Sequence, residues 1–238
     1  MIDLKFLGTT SSVPTKNRNH PGIHLKFKNN NLIFDCGEGT QRQLSIAGLS
    51  PYKTTAIFVS HLHGDHILGL GGLIQSQAFL GREKELHVFG PKGIKEQVDF
   101  FKKWGDIECP FEIKAHILKE GVVFENTDLK IRAFPVQHSC PTFGFTFEEK
   151  VEVNLNKRKL KKAGLLNSPL CKELKDKGNV KIDGKTVKLE DVSDPLRKGK
   201  KITIVTDSSP TEKIIEYAKG SDIFVCESTF GEEYKDRA

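Results

Sequence analysis

Three histidines and one aspartate fall within six consecutive positions of this chain. The segment reads His61-Leu62-His63-Gly64-Asp65-His66 and directly follows the apolar run Ile57-Phe58-Val59. Neutral imidazole nitrogens and carboxylate oxygens are donors that zinc and neighbouring transition metals accept in proteins. His61 and His63 can converge on one ion, while Asp65 and His66 reach a second ion beside it. Two ions about 3.5 to 4 Å apart can stabilise both the attacking and the leaving oxygen of a displacement. The spacing therefore predicts metal-assisted hydrolysis, in which Asp65 orients a water molecule and accepts its proton.

Two ions need more donors than one segment supplies, and two candidates follow strand-like segments elsewhere. His138 comes after the apolar residues 129–136, and Asp207 comes after residues 202–206. Taken alone, each residue also has a structural explanation. A histidine after a strand often bonds a backbone carbonyl, and an aspartate before Ser-Ser-Pro often caps a helix. We expect the remaining histidines to be structural or surface residues: His20, His24, His87 and His116.

The elements that must position these donors follow from the apolar pattern. Alternating or short apolar runs predict strands at 2–7, 24–27, 32–35, 56–60, 86–89, 129–136, 143–147, 202–206 and 223–227. Helical stretches fit between them at 41–47, 68–79, 94–104 and 210–218. For the last helix we expect Ser209 as the cap and Pro210 at the first helical position. Strands mixed with helices that cover their outer faces predict an α/β sandwich.

Positive charge is concentrated in one part of the chain. Residues 150–201 contain 16 Lys and Arg against 7 Asp and Glu, a balance of +9, whereas the remainder has 21 against 24, a balance of −3. Within this segment we expect a helix at 155–163 closed by Gly164, a second helix from Ser168-Pro169 to near Gly178, and a hairpin turning at Asp183-Gly184. The segment has few large apolar residues and should protrude as an arm. One interpretation is a charged insertion that is exposed to solvent and has no binding role, and the other is an arm that binds a polyanion.

Composition limits the remaining classes of protein. A chain of 238 residues with 37% hydrophobic content can bury a sizeable core. It contains no apolar run of roughly 18 residues that would span a membrane, and its N terminus enters an alternating strand, so we expect a cytoplasmic protein with no membrane partner. Five cysteines without a Cys-x-x-Cys pair argue against a disulfide framework and a cysteine zinc ribbon.

The pattern His-x-His-x-Asp-His resembles that of the metallo-β-lactamase superfamily. Two further segments are similar to the ribonuclease Z family of tRNA 3′-processing endonucleases. The first is residues 6–19, with Pro14, Lys16 and Arg18, and the second is residues 34–43, which begin Phe-Asp-Cys-Gly-Glu-Gly-Thr. Matching segments extend from residue 3 to about residue 230.

The resemblance implies a metallo-β-lactamase-type αβ/βα sandwich over 1–238, with a basic substrate-binding arm at 151–195. It implies two zinc ions, with His138 as the third histidine of the first ion and Asp207 as the bridging carboxylate. The substrate implied is precursor tRNA, cleaved at its 3′ trailer, and the assembly implied is a homodimer. The arm of the family carries a Gly-Pro-Leu element that here reads Asn167-Ser168-Pro169-Leu170. We expect RNA contacts from Lys16, Arg18, Lys157, Arg158, Lys159, Lys161 and Lys162, directed at shape and phosphate.

The sequence departs from the family pattern near its end. Two downstream histidine motifs of the family, His-Ser-Thr and Thr-His-x-Ser, do not occur, and Cys226-Glu227-Ser228-Thr229 stands where the family usually has His-Glu-Ala-Thr. We therefore expect a domain that is incomplete at its C terminus and a second metal site that lacks one ligand. Three interpretations stay open: a ribonuclease Z whose C-terminal part lies outside this chain, a non-catalytic tRNA-binding relative, and a small-molecule metallo-hydrolase.

Overall fold

Two β-sheets pack face to face in the computed structural model, which describes residues 1–104, 109–151, 153–182, 184–194, 197–229 and 231. The first sheet consists of β1 (Ile2–Gly8), β2 (Gly22–Phe27), β3 (Asn30–Phe34), β4 (Ala56–Phe58), β5 (Leu86–Gly90) and β6 (Ile113–Ile117), in that order. Strands β1 to β3 are antiparallel neighbours. Strands β3 to β6 run parallel, so their carboxyl ends meet at one edge of the sheet.

The second sheet has five strands, in the order β13, β12, β9, β8, β7. Their bounds are β7 (Gly121–Glu125), β8 (Leu129–Val136), β9 (Thr142–Glu149), β12 (Lys201–Val205) and β13 (Ile223–Cys226). All neighbours are antiparallel except β12 and β13, which run parallel. Strands β6 and β7 lie outside the strands that the sequence pattern predicted.

Alternation along β4 shows how the layers are held together. Successive side chains of a strand point to opposite faces of its sheet. Ala56 and Phe58 belong to the apolar cluster between the two sheets, whereas Ile57 and Val59 belong to the cluster under the helices. Phe58 stacks on Phe34 and Phe89, with ring centroids 5.2 and 4.9 Å away. Because both faces of β4 are buried, its sequence is a continuous apolar run with no polar alternation.

Helices cover the outer faces of both sheets. The first sheet carries α1 (Thr40–Ile46), α3 (Gly69–Phe79) and α4 (Ile94–Lys102), and a single turn of 3-10 helix spans Pro51–Lys53. On the second sheet, α8 (Glu212–Ala218) packs Ile214 against Phe134 and Val205. The resulting order of helix, sheet, sheet and helix confirms the predicted α/β sandwich. Among the described residues, no helix has both the length and the apolar character needed to cross a bilayer.

Two local predictions were wrong. The final helix begins at Glu212 with Thr211 as its cap, whose Oγ1 accepts from Ile214 N, and Ser209 does not cap it. Ser209 instead pairs with Gln137, and its N–H donates to the Gln137 carbonyl at 2.9 Å. Pro210 lies outside that helix, and Asp65 and His66 lie in a short helix, α2 (Gly64–Ile67), that the sequence pattern did not predict.

The basic arm is built from its own elements. It contains α5 (Lys157–Lys162), α6 (Leu170–Lys177), β10 (Asn179–Ile182), β11 (Lys185–Lys188) and α7 (Leu189–Val192). The expected helices and hairpin are present, although Asp183 of the predicted turn lies outside the described residues. The buried apolar residues of this segment belong neither to the cluster between the sheets nor to the one under the helices, and the expectation that the segment protrudes stays a prediction. Five buried side chains form a small cluster of their own within it: Leu160, Leu165, Leu174, Val180 and Val192.

Candidate metal centre

The donor residues come from strand ends of both sheets. His61 follows β4, His138 follows β8 and Asp207 follows β12. Two backbone contacts bring these ends together. Phe143 N, at the start of β9, donates to Ser60 O at 3.0 Å, and residues Gln137 and Ser209 form the bridge described above. Ends that are far apart in sequence therefore share one edge of the sandwich.

Two groups of side chains at this edge could each hold a metal ion. The first consists of His61, His63, His138 and Cys140, and the second of His61, His66 and Asp207, with the donor atoms of each group within 4.8 Å of one another. His138 Nε2 lies 3.3 Å from His63 Nδ1. Five of the six predicted ligands therefore belong to these groups.

Asp65, the sixth predicted ligand, belongs to neither group but lies beside the second. Its Oδ2 is 3.6 Å from His66 Nε2, and 13% of its side chain is exposed. Asp207 Oδ1 lies 3.4 Å from the same nitrogen. A single imidazole nitrogen thus faces two carboxylates.

Orphaned nitrogens provide a test of whether a metal fits here. His61 Nε2 and His66 Nε2 are buried and make no hydrogen bond within the described structure. A buried nitrogen without a partner costs free energy of about 1–3 kcal/mol, so such atoms are rare unless something else satisfies them. Both face the Asp207 carboxylate, whose Oδ2 lies 3.9 Å from His61 Nε2. Imidazole and carboxylate donors around a common point match the ligands of a divalent metal.

A buried carboxylate behind the donors fixes their orientation. Asp35 is 1% exposed and accepts three hydrogen bonds: from Ser60 N at 2.7 Å, from Ser60 Oγ at 3.0 Å and from His66 Nδ1 at 2.8 Å. Ser60 Oγ also accepts from Thr206 Oγ1 and lies 2.9 Å from His61 Nδ1. Because the single hydroxyl hydrogen goes to Asp35, His61 Nδ1 must donate to Ser60 Oγ. Both histidines therefore turn Nε2 towards the centre.

The backbone at Asp35 is strained, with φ at +57°. This left-handed conformation is uncommon for residues other than glycine, although aspartate and asparagine tolerate it. Asp35 N donates to Phe58 O at 2.8 Å, which ties the end of β3 to β4. The strain is offset by the three hydrogen bonds that the carboxylate accepts in this position.

Burial and charge set the protonation of the two buried histidines. Desolvation, followed by the repulsion of His66, lowers the pKa of His61 to about 4, so this imidazole is neutral at pH 7. Burial also opposes charge on His66, but the Asp35 and Asp207 carboxylates outweigh it and raise the pKa of His66 to about 10. A metal ion must therefore displace a proton from His66 when it binds.

Close backbone approach explains the glycines at positions 37 and 69. A Cβ at Gly37 would lie 2.2 Å from Asp65 O, and one at Gly69 would lie 2.0 Å from Gly37 O. Cys36 N donates to His66 O at 2.8 Å across the same contact. The segment after β3 therefore packs directly on α2 and holds Asp65 and His66 in place.

The predicted RNA-binding cations lie on exposed surfaces. Lys16 and Arg18 belong to an exposed loop whose base is tied to residue 38, since Asn19 Nδ2 donates to Glu38 O at 2.6 Å. The five arm cations, Lys157, Arg158, Lys159, Lys161 and Lys162, are all exposed. Lys159 has a structural contact as well, because its Nζ donates to Ser193 O at 2.6 Å.

Three residues near the donors were not predicted as site residues from the sequence: Asp35, Ser60 and Cys140. Asp35 lies within residues 34–43, which resemble the ribonuclease Z family, but no local pattern linked it to His66, 31 positions away. Cys140 follows His138 at the spacing of a His-x-Cys pair, which was a usable signal. The remaining histidines lie elsewhere, as expected: His20 bonds Ser11 O, His24 is buried, and His87 stacks on His116.

Comparison with known proteins gives relatives over the whole chain. Residues 2–159 match the model of the family described as anti-Pycsar protein Apyc1. The chain is 40% identical over 238 residues to ribonuclease Z of Methanothermobacter thermautotrophicus, with 100% of this chain and 78% of that protein covered. It is 41% identical over 244 residues to ribonuclease Z of Methanocaldococcus jannaschii, with 100% and 77% covered.

Solved structures resemble the fold. The short form of human tRNase Z superposes with a TM-score of 0.72 at 23% identity, covering 100% of this chain and 82% of that one. The metallo-β-lactamase fold protein YhfI from Bacillus subtilis superposes with a TM-score of 0.61 at 17% identity, covering 94% and 70%. At these identities the likeness concerns the fold alone, and it confirms the expected metallo-β-lactamase-type αβ/βα sandwich.

Proposed function

We propose that this chain, which belongs to the ribonuclease Z family and, over residues 2–159, to the family described as anti-Pycsar protein Apyc1, is a zinc-dependent endoribonuclease that removes the 3′ trailer from precursor tRNA. The observation that carries the proposal is the buried Nε2 of His61, which makes no hydrogen bond in the described structure and lies among His63, His66, His138 and Asp207 at the converged strand ends. A free imidazole nitrogen among other imidazoles and a carboxylate suits a divalent metal ion.

The described residues offer three histidines for a first zinc ion and three donors for a second, whose set still lacks the one ligand that the sequence analysis expected to be missing. His61, His63 and His138 would hold the first ion, and His66, Asp65 and Asp207 the second. Asp207 lies within 3.9 Å of His61 and His138 as well, which suits a carboxylate shared between the two ions. When bound, the ions would polarise the phosphate and lower the pKa of a water molecule.

Asp65 is the candidate for moving the proton. Its carboxylate is partly exposed, unlike that of Asp35, so it can meet a water molecule and a substrate phosphate. A base acts within hydrogen-bond reach of the proton that it removes. His66 beside it is held by Asp35 and does not need to move.

The arm and the exposed loop supply the contacts to RNA. A balance of +9 over residues 150–201 contrasts with −3 elsewhere, so attraction to a polyanion is concentrated in the arm. The apolar cluster of the arm includes Leu160 and so anchors α5, while the lysine and arginine side chains of α5 remain exposed. Recognition of folded RNA by shape and phosphate is consistent with lysine and arginine at these positions. A small-molecule hydrolase has no need of this arm.

We further propose that the chain forms a homodimer through the helical face of the first sheet. Helices α1, α3 and α4 contact one another in sequence order. Each exposes a large apolar side chain: Ile46 at 63%, Phe79 at 77% and Phe100 at 58%. Exposed apolar surface of this kind favours association. Sedimentation analysis should show a dimer that Phe79→Asp and Phe100→Asp convert to monomers. The proposed cytoplasmic location stays a prediction.

The test of the function is cleavage of a precursor tRNA with a 3′ trailer, measured alongside zinc content. The wild-type chain should release the trailer, and the His61→Ala, His63→Ala double variant should lose both zinc and cleavage. His87→Ala, a histidine outside the centre, is the matched control and should retain both. Retention of zinc in the double variant would refute the ligand assignment, and zinc binding without cleavage would favour the non-catalytic RNA-binding interpretation.

A further inference from the structure

A thiol lies beside three of the imidazoles at the metal centre. Cys140 Sγ and one ring nitrogen from each of His61, His63 and His138 all lie within 4.8 Å of one another. Among the residues that the structure describes, no other cysteine joins such a group. Three nitrogens and one sulfur therefore converge from two separate segments of the chain.

The backbone fixes Cys140 in this position. The residue lies between β8 and β9, and its carbonyl accepts from Thr142 Oγ1 at 2.9 Å. One residue further on, Phe143 N is bonded to Ser60 O, directly before His61. The thiol itself makes only a long contact, 3.8 Å from Sγ to Thr142 Oγ1. Hydrogen bonds thus fix the backbone around Cys140, while its sulfur remains available to bind a metal ion.

His61 provides the independent indication of a ligand. Its side chain is fully buried, and its Nδ1 is used by Ser60. Its Nε2 has no hydrogen-bond partner in the described structure, and this atom faces the cluster. Since one free nitrogen can bind only one ion, His61 cannot serve both groups of donors. His61 then joins His63, His138 and Cys140 around the first ion, with Asp207 shared between the two ions, and His66 and Asp65 remain for the second.

We propose that Cys140 is a further protein ligand of the first ion, in an inference that rests on the metal-dependent function proposed above. Three imidazoles and one thiolate are donors that zinc, cobalt and cadmium accept. The metal–sulfur bond forms as the thiol proton passes to solvent, without any change of oxidation state.

Cobalt(II) provides a test that does not depend on activity. Thiolate ligands give cobalt(II) a near-ultraviolet charge-transfer band that imidazole and carboxylate ligands lack, while visible bands report binding by any of them. Metal-free wild-type protein titrated with cobalt(II) should show both sets of bands. Cys140→Ser should lose the charge-transfer band and keep the visible bands. Cys109→Ser, which removes another half-buried thiol, is the matched control and should keep both.

Each alternative outcome has a distinct meaning. Visible bands without a charge-transfer band in the wild type would overturn the role of Cys140 and leave the histidine site standing. Absence of all cobalt bands would overturn the metal centre itself. If Cys140→Ser does not fold, alkylation of the wild-type protein decides, with mass spectrometry locating the label. Zinc should abolish alkylation at Cys140 and leave it unchanged at the exposed Cys226, whereas unprotected Cys140 would refute the proposal.

Discussion

Asp35→Asn should reverse the orientation of the proton on His66 and thereby weaken metal binding. The Asp35 carboxylate has no hydrogen to donate, so it forces His66 Nδ1 to be the donor across their 2.8 Å contact. In the variant, the amide oxygen keeps the bond from Ser60 N, and the amide nitrogen then faces His66 and donates to its Nδ1. The neutral imidazole must then carry its hydrogen on Nε2, where the metal would bind.

The magnitude follows from the type of contact. Loss of an outer partner of a metal-binding histidine typically costs about 10 to 100-fold in affinity. That factor corresponds to about 1.4 to 2.7 kcal/mol of binding free energy. We expect the upper end of this range, because Asp35 also holds Ser60, and Ser60 in turn holds His61. Backbone strain does not contribute, since asparagine tolerates the left-handed conformation at least as well as aspartate.

Competition with a chromophoric chelator measures the effect. Metal-free wild type, Asp35→Asn and Asp222→Asn are titrated with zinc, and bound metal is counted by elemental analysis. Asp222 is a suitable control because its carboxylate also accepts from a backbone N–H, that of Lys201 at 2.9 Å, but lies outside both donor groups. Equal zinc affinity in wild type and Asp35→Asn would refute the argument that Asp35 orients the ligands.

Three further predictions concern the cations of the arm, the core, and the ion pair between Arg197 and Glu149. Alanine at Lys157, Arg158, Lys161 and Lys162 should weaken tRNA binding. The slope of the logarithm of the binding constant against the logarithm of salt concentration should become shallower by roughly 0.7 to 0.9 for each phosphate that is no longer neutralised. Hydrolysis of a small phosphodiester should persist, and an equal decrease in both activities would show that the arm supports the fold. Phe58→Ala should lower the free energy of unfolding by about 3–5 kcal/mol in chemical denaturation, because the ring is fully buried between the sheets. Ile215→Ala, at an exposed position of α8, should change it by less than about 0.5 kcal/mol, and similar decreases in both variants would contradict this account of the core. The hydrogen bond from Arg197 holds the pKa of Glu149 below its usual 4.5, so the stability that this pair provides is present above pH 4.5 and is lost as the pH falls through the lower folded value. Arg197→Gln should reduce that acid dependence, and an unchanged pH profile would refute the contribution of the pair.

The sequence by itself determined the donors that stand close together in the chain. His61, His63 and His66 are recognisable because their types and spacing are unusual for a core or a surface. The strands around them are recognisable because burial imposes periodicity on each short segment. The charge of the arm likewise needs no coordinates. These features are local, so one stretch of residues carries the whole signal.

Only the tertiary structure decided which distant groups complete the centre. Asp35 meets His66 because β3 pairs in parallel with β4, with Phe34 opposite Phe58, and the residues after both strands then share one edge. Cys140 joins the imidazoles because the second sheet packs so that the end of β8 meets the end of β4. Neither contact leaves a local pattern, since strand order and the packing of the two sheets arise from the burial of many apolar side chains together. Spacing along the chain identifies candidate ligands, whereas the orientation and partners of each ligand depend on how those two sheets meet.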